Sequence, residues 1–204
     1  MLRSLAALLS LALAGAAHGA DLSVQVRDAE GHPVADAVVM VRVVGGPGVT
    51  PGRFTSPMVM SQHGIAFDPH TLIVPVGSDV AFPNKDTVRH HVYSFSAAKK
   101  FELKLYGRDE TRSVHFDKPG PVALGCNIHD RMAGFIYVVD TPYAAKTGAN
   151  GIAVLKGLPT GPAELSVWHP YMKAPKNEVQ RDVSPSGDMT EVVSAEFRAQ
   201  PGKP

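Results

Sequence analysis

Cysteine is almost missing from this chain: Cys126 is the only one among 204 residues. A single thiol cannot form an internal disulfide, so no disulfide framework holds the fold. Charge of one sign is not in excess either. Twenty Lys and Arg against 19 Asp and Glu give a formal charge of +1. No basic field therefore advertises binding to nucleic acid or to an anionic membrane. Beyond residue 20 no apolar run is long enough to span a bilayer. There is no Gly-x-Ser-x-Gly elbow and no His-Glu-x-x-His motif, which leaves hydrolytic chemistry without its usual signatures. Helical periodicity never lasts beyond about two turns. The 19 Gly and 17 Pro stay below the fraction that marks a low-complexity chain. What the sequence does hold is nine His, and the question is which of them belong with the lone Cys.

Residues 1–20 read as a secretory signal peptide. Arg3 supplies the positive start, Leu5 to Leu13 the apolar stretch, and Gly15, Ala16, Ala17, Gly19 and Ala20 the small residues before a cut. A cut after Gly19 puts Ala17 and Gly19 at the small-residue positions. The apolar run is too short for a membrane anchor, and no Cys lies near the cut to carry a lipid. The expectation is export to the periplasm. In an oxidising compartment a free thiol is oxidised unless it is buried or ligated.

After the leader nearly every segment has a strand period or a turn signal. Leu22–Arg27 alternates apolar and polar, and Ala37–Val44 is a continuous apolar run broken only by Arg42. Gly45–Pro57 reads as a loop or linker. Short strands follow at 71–76, 80–83, 91–95, 101–105, 112–116, 122–124 and 133–139, with Gly, Pro, Asn or Asp between most of them. That rhythm predicts an antiparallel sandwich or barrel. Further strands are expected at 152–155 and 165–168, with 189–197 able to close a sheet. Ala144–Lys146 is too short to assign. The flanks 21–56 and 141–199 hold too few strands to fold separately, and are expected to combine into one small sandwich around the segment inserted between them. Residues 200–204 read as a frayed tail.

The chemistry sits in Gly125-Cys126-Asn127-Ile128-His129-Asp130-Arg131-Met132. This string places a thiolate, an imidazole and a thioether at Cys-x2-His-x2-Met spacing, in a loop short enough to turn all three toward one point. Upstream, Asn84-Lys-Asp86-Thr-Val-Arg-His90-His91-Val92 offers a second imidazole from another strand end. Two His and one Cys with a weak axial Met form the ligand set of a blue-copper site. The soft sulfurs favour Cu(I), and imidazole accepts either oxidation state. Zinc prefers tetrahedral sets of Cys, His and carboxylate and rarely takes Met.

Both halves, in this order, resemble the cupredoxins, the type 1 blue-copper proteins. The resemblance covers roughly Gln62 to Asp140. It includes Phe67-x-Pro69-x-x-Leu72-x-Val74-x-Val76-Gly77-x-x-Val80-x-Phe82-x-Asn84-x-Asp86, and a ligand loop with amicyanin-type spacing. It implies a cupredoxin-like Greek-key β-sandwich over residues 62–140 and metal ligands His90, Cys126, His129 and Met132. The family register selects His90 over His91, and strand alternation sends His91 to the opposite face. His91 stands where the family often has Asn, and Asp130 and Arg131 place charges where the family commonly has an apolar docking patch. The flanks are similar to the two halves of a carboxypeptidase-regulatory-like sandwich. Val24-x-Val26-x-Asp28-x-x-Gly31-x-Pro33 carries the first half, and Asn150-Gly151 through Gly157-Leu158-Pro159 to Val167-Trp168 the second. The combination resembles exported cupredoxin-domain proteins labelled methylamine-utilisation proteins.

The expected fold is therefore all-β, with a second small sandwich made by the flanks. The expected function is a periplasmic copper-binding one-electron carrier rather than an enzyme. Its partner would be a redox protein or a copper-handling protein, with no nucleic acid and no membrane span. A copper chaperone or sensor, or a metal-braced structural module, are the alternatives. His115 is expected on a strand face, His32, His63 and His70 in solvated turns, Trp168 in a core, and Lys99-Lys100 in solvent.

Overall fold

Sixteen strands and a short 3-10 turn at Pro175–Asn177 make up the regular structure of the described residues, 19–49, 54 and 57–199, in this computed structural model. The leader read at 1–20 lies outside the described residues except for Gly19 and Ala20. The tail 200–204 and most of 50–56 also lie outside them. No helix among the described residues is long and apolar enough to cross a membrane.

The chain opens with β1 (Ala20–Arg27) and β2 (Val38–Val43). In β1 the alternation seen in the sequence buries Ala20, Leu22, Val24 and Val26 and leaves the residues between them half-covered. A hairpin of β3 (Ser61–Gln62) and β4 (Phe67–Asp68) follows. The central strands are β5 (Thr71–Pro75), β6 (Ser78–Pro83), β7 (His90–Phe95), β8 (Lys100–Tyr106), β9 (Thr111–Phe116), β10 (Gly120–Cys126) and β11 (Ala133–Val139). Five of them form one sheet in the order β5-β11-β10-β7-β8, with only the β5–β11 pair parallel. The β6–β9 ribbon lies opposite. Its Val80, Phe82, Val114 and Phe116 pack on Val92, Val122, Leu124, Ile136 and Val138 of the sheet. Phe101 of the edge strand β8 is partly buried and packs against this core, 5.7 Å from Phe82 and 6.1 Å from Phe116 between ring centroids. Residues 59–62 run beside β6, bridging Ala81 and Asn84 in parallel.

The remaining strands are β12 (Tyr143–Lys146), β13 (Ile152–Leu158), β14 (Ala163–Trp168), β15 (Glu178–Val183) and β16 (Met189–Ser194). They complete two sheets around the first two strands, β13-β1-β16 and β12-β2-β14-β15. Leu22, Val24, Val26, Val39, Val41, Leu155, Leu158, Leu165 and Val167 meet between these sheets in a second core. The described residues are thus all-β, with one sandwich built from the middle of the sequence and one from its flanks.

The two sandwiches share a smaller cluster. Val38 and Met40 of β2 and Trp168 of β14 pack on Tyr137 and Val139 of β11. Trp168 touches Tyr137 edge-on at 5.1 Å and Phe135 at 6.0 Å. Lys146 Nζ adds a tie, donating to Asp36 at 2.8 Å and to the Thr71 carbonyl at 2.7 Å.

Four strands were not readable in advance. β12 forms because β2 presents an open edge to it, pairing Tyr143 with Val41 and Lys146 with Val38. β15 has only Val179 and Val183 among four polar residues and gets its strand geometry from pairing with β14. The hairpin of β3 and β4 turns through Gly64 and Ile65, whose φ values are +63° and +57°. Reciprocal His63–Ala66 backbone bonds of 3.0 and 3.2 Å close it. Two successive positive φ values mark a type I′ turn, which sequence reading expects from Asn-Gly rather than Gly-Ile.

Candidate metal centre

His90 opens β7, and alternation along that strand buries His90, Val92 and Ser94 while turning His91, Tyr93 and Phe95 outward. Cys126 ends β10 and is buried beside them. Two tight turns then fold the loop back. The His129 N–H donates to the Cys126 carbonyl at 3.3 Å, and the Met132 N–H to the His129 carbonyl at 2.9 Å. His129 thereby returns over the end of the sandwich, half-buried. Met132 enters the same apolar core as Cys126.

Three donor atoms converge. Cys126 Sγ lies 3.7 Å from His90 Nδ1 and 3.5 Å from His129 Nδ1. All three ligand atoms lie within 4.8 Å of one another, with the two imidazole centroids 5.0 Å apart. A metal about 2.3 Å from sulfur and about 2.0 Å from nitrogen, in trigonal or tetrahedral array, holds S and N about 3.5–3.7 Å apart. The separations therefore fit a metal ion shared by the three side chains. One thiolate and two imidazoles make a soft donor set. His91 is excluded from it: its Nε2 lies 2.7 Å from Glu102 Oε1 on the outer face of the sheet.

Backbone and amide groups lock the two halves of the site. The Asn127 N–H donates to the His91 carbonyl at 3.0 Å. Asn84 Nδ2 donates to the carbonyls of Val88 at 2.8 Å and Tyr106 at 3.2 Å, and its Oδ1 accepts the Asp86 N–H at 2.9 Å. Gly125, next to Cys126, is required by close approach: a Cβ there would lie 2.8 Å from the tip of the Tyr93 ring.

Asp86 is the group that sequence reading left without a role. Its Oδ2 lies 2.9 Å from His90 Nε2, and the side chain is only 11% exposed. Oδ1 accepts the Gly64 N–H at 2.6 Å and Oδ2 the Ile65 N–H at 3.0 Å. Burial pushes the Asp86 carboxyl up, but the Ile65 N–H, the His90 ring and the Gly64 N–H together hold it below the usual carboxylate range. A left-handed β-branched residue such as Ile65 costs on the order of 1–3 kcal/mol. Two hydrogen bonds to a charged acceptor, about 1.5–3 kcal/mol each, offset that cost. The signal in the sequence was only the Asn84-x-Asp86 stretch before His90.

Tyr106 lines the inner side of the site. Its hydroxyl donates to Gln62 Oε1, and Gln62 Nε2 donates to the Met60 carbonyl at 3.0 Å. Burial raises the Tyr106 phenol well above its ordinary range, so it stays a neutral donor. At the solvent end the rim is mixed. Asp130 and Arg131 are exposed, and three loops also present Ile65 (49% exposed), Val88 (39%) and Ile128 (46%).

The other histidines lie elsewhere. His115 is exposed on β9 beside Asp79 at 3.0 Å, and His63 is exposed in its turn. His32 sits 3.1 Å from Asp28. Asp28, Glu30 and His32 form a second group of ligand-type atoms, but the Asp28 carboxylate is already engaged by the N–H groups of Glu30 and His32. His70 departs from the expectation of a solvated turn residue. It is half-buried at the junction, edge-on to Phe135 at 5.3 Å and stacked on Tyr171 at 6.2 Å. Trp168 is buried as expected, and Lys99 pairs with Asp117 at 2.9 Å.

No family model matches the chain, and no curated protein matches it. Among solved structures it is similar to a Cu-containing nitrite reductase (NirK) from Thermus scotoductus SA-01, with 28% identity over 49% of this chain and a TM-score of 0.40. The match spans only a quarter of the reductase (25%). A purple cupredoxin from Nitrosopumilus maritimus is 21% identical over 40% of this chain and 96% of its own length, with a TM-score of 0.36. A reduced amicyanin variant is 18% identical over 49% of this chain and 99% of its own, with a TM-score of 0.38.

Proposed function

We propose that the chain binds one copper ion through His90, Cys126 and His129, with Met132 as weak axial ligand, and works as a one-electron carrier. The observation that carries this reading is the convergence of two imidazole nitrogens on one buried thiol at 3.5 and 3.7 Å. Copper bound there would supply a single electron through the Cu(I)/Cu(II) couple. The residues hold the donor set rigid, exclude water from the thiol, and leave His129 as the ligand nearest solvent. Burial of His90 and Cys126 favours electron transfer over metal handover. A chaperone must release its ion, and here release would require opening the sandwich.

The partner is a redox protein that docks over His129. The rim combines Ile65, Val88 and Ile128 with Asp130 and Arg131, so docking joins apolar contact to charge. The secretory leader read in the sequence at residues 1–20 supports a periplasmic location for the carrier. The flanking strands, 20–43 and 143–194, serve as a carboxypeptidase-regulatory-like module without chemistry of its own.

One visible spectrum of the Cu(II)-loaded protein tests the centre. The expected result is an intense thiolate-to-Cu(II) band that Cys126→Ser abolishes while the far-UV signal of the fold persists. A colourless copper complex that passes its ion to a chelating partner would favour the chaperone. Purification with stoichiometric zinc and no redox response would sink both copper readings.

A further inference from the structure

One buried ion contact is not needed to bind copper, yet it touches a ligand. The Asp86 carboxylate bonds at once to His90 Nε2 and to both turn amides of the Gly64–Ile65 hairpin. Its own N–H is fixed by Asn84, which also holds the carbonyls of Val88 and Tyr106. The carboxylate therefore cannot swing away from His90 without giving up the strained turn at Ile65 (φ +57°). A carboxylate only accepts hydrogen bonds, so the proton on the His90 ring stays on Nε2. That leaves Nδ1, the atom facing Cys126, with its lone pair free. A negative charge hydrogen-bonded behind a ligating imidazole makes it more electron-donating.

We propose that Asp86 is the positioning residue of this centre: it fixes His90 in the Nε2–H tautomer and biases bound copper toward Cu(II). The second half of this statement rests on the copper reading; the first does not.

The two parts are tested separately on the full chain. In the metal-free protein, long-range proton–nitrogen NMR correlations of His90 are expected to show the Nε2–H tautomer. Asp86→Asn is expected to mix the two tautomers. With copper, Asp86→Asn is expected to keep the thiolate band but weaken Cu(II) binding about tenfold more than Cu(I) binding. The potential then rises by about 59 mV for each such tenfold change. Ile65→Gly relieves the turn and leaves the Asp86–His90 bond in place, so tautomer and potential should match the wild type.

A wild-type His90 protonated at Nδ1 overturns the proposal even if Asp86→Asn fails to fold. So does an Asp86→Asn protein with wild-type tautomer and potential. An Ile65→Gly shift as large as that of Asp86→Asn would assign the effect to the hairpin instead. A wild-type protein that never develops the thiolate band defeats the copper reading and the Cu(II) bias, while the tautomer measurement still decides the positioning role.

Discussion

The central and flanking sandwiches have cores of equal size, sixteen buried apolar side chains each among the described residues, but they are furnished differently. The flanking core is aliphatic except for Tyr143 and Met172. Its buried polar groups are mostly short hydroxyls, two of them bonded to backbone distant in sequence: Thr147 Oγ1, for one, accepts the Ala37 N–H at 2.9 Å and donates to the Val34 carbonyl at 2.7 Å. The central core contains Phe67, Phe82, Tyr106 and Phe116 together with Cys126 and Met132. Against that core lie Gln62, Asn84 and His90, all buried and all hydrogen-bonded. A buried polar group without partners costs about 1–3 kcal/mol, so such a set survives only as a connected network. One sandwich uses its interior to hold shape, and the other uses part of its interior to hold a site.

That contrast can be broken at several points. Leu165→Ala should open a cavity in the flanking core and cost about 2–5 kcal/mol there. The thiolate band of the copper-loaded protein should stay unchanged. Calorimetry with the visible spectrum checks this, and loss of the band would mean that the two sandwiches act as one unit.

Copper should act on the other side. At free copper a thousandfold above Kd, the centre is expected to gain about 4 kcal/mol. Hydrogen exchange should show this as added protection in β7 and β10 and little change in β1 and β13. Equal protection in both regions would erase the distinction.

Acid should give the smallest effect. The folded Asp86 carboxyl lies below its ordinary value. Its stabilising contribution is therefore complete above the unfolded value near 4 and is lost as pH falls through the folded value. In metal-free protein near pH 3, proteolysis is expected at the Gly64–Ile65 hairpin before the flanking strands. Earlier cleavage in the flanks would contradict the role given to Asp86.

Much of this was legible in the sequence for a physical reason. Strands with one buried face declare themselves by period two, as Leu22, Val24 and Val26 do. The candidate metal loop is legible because Cys126 and His129 are local, and a donor set needs particular atoms at particular spacing. The choice of His90 over His91 followed from alternation and the family register, and the strand places the two rings on opposite faces. What escaped depends on distant partners. Nothing near Glu178–Val183 marks it as a strand except its neighbour β14. Ile65 is a poor residue for a left-handed turn, and the group that holds it, Asp86, lies far along the chain. The apolar members of the rim were missed because Ile65, Val88 and Ile128 come from three separate loops.

The pairing of β2 with β12 has a kinetic side. Val41 meets Tyr143, and the neighbouring Thr141 hydroxyl donates to the Val41 carbonyl across a sequence separation of 100 residues. Closing a loop of that length in an unfolded chain costs about 4 kcal/mol in entropy by the logarithmic law, and distant pairings slow folding. Once the central sandwich has formed, it carries β12 to the edge of β2 and most of that search is already over. On that ground the flanking sandwich is expected to assemble second, which stopped-flow refolding would show as a slower phase for the flanking core than for the central one.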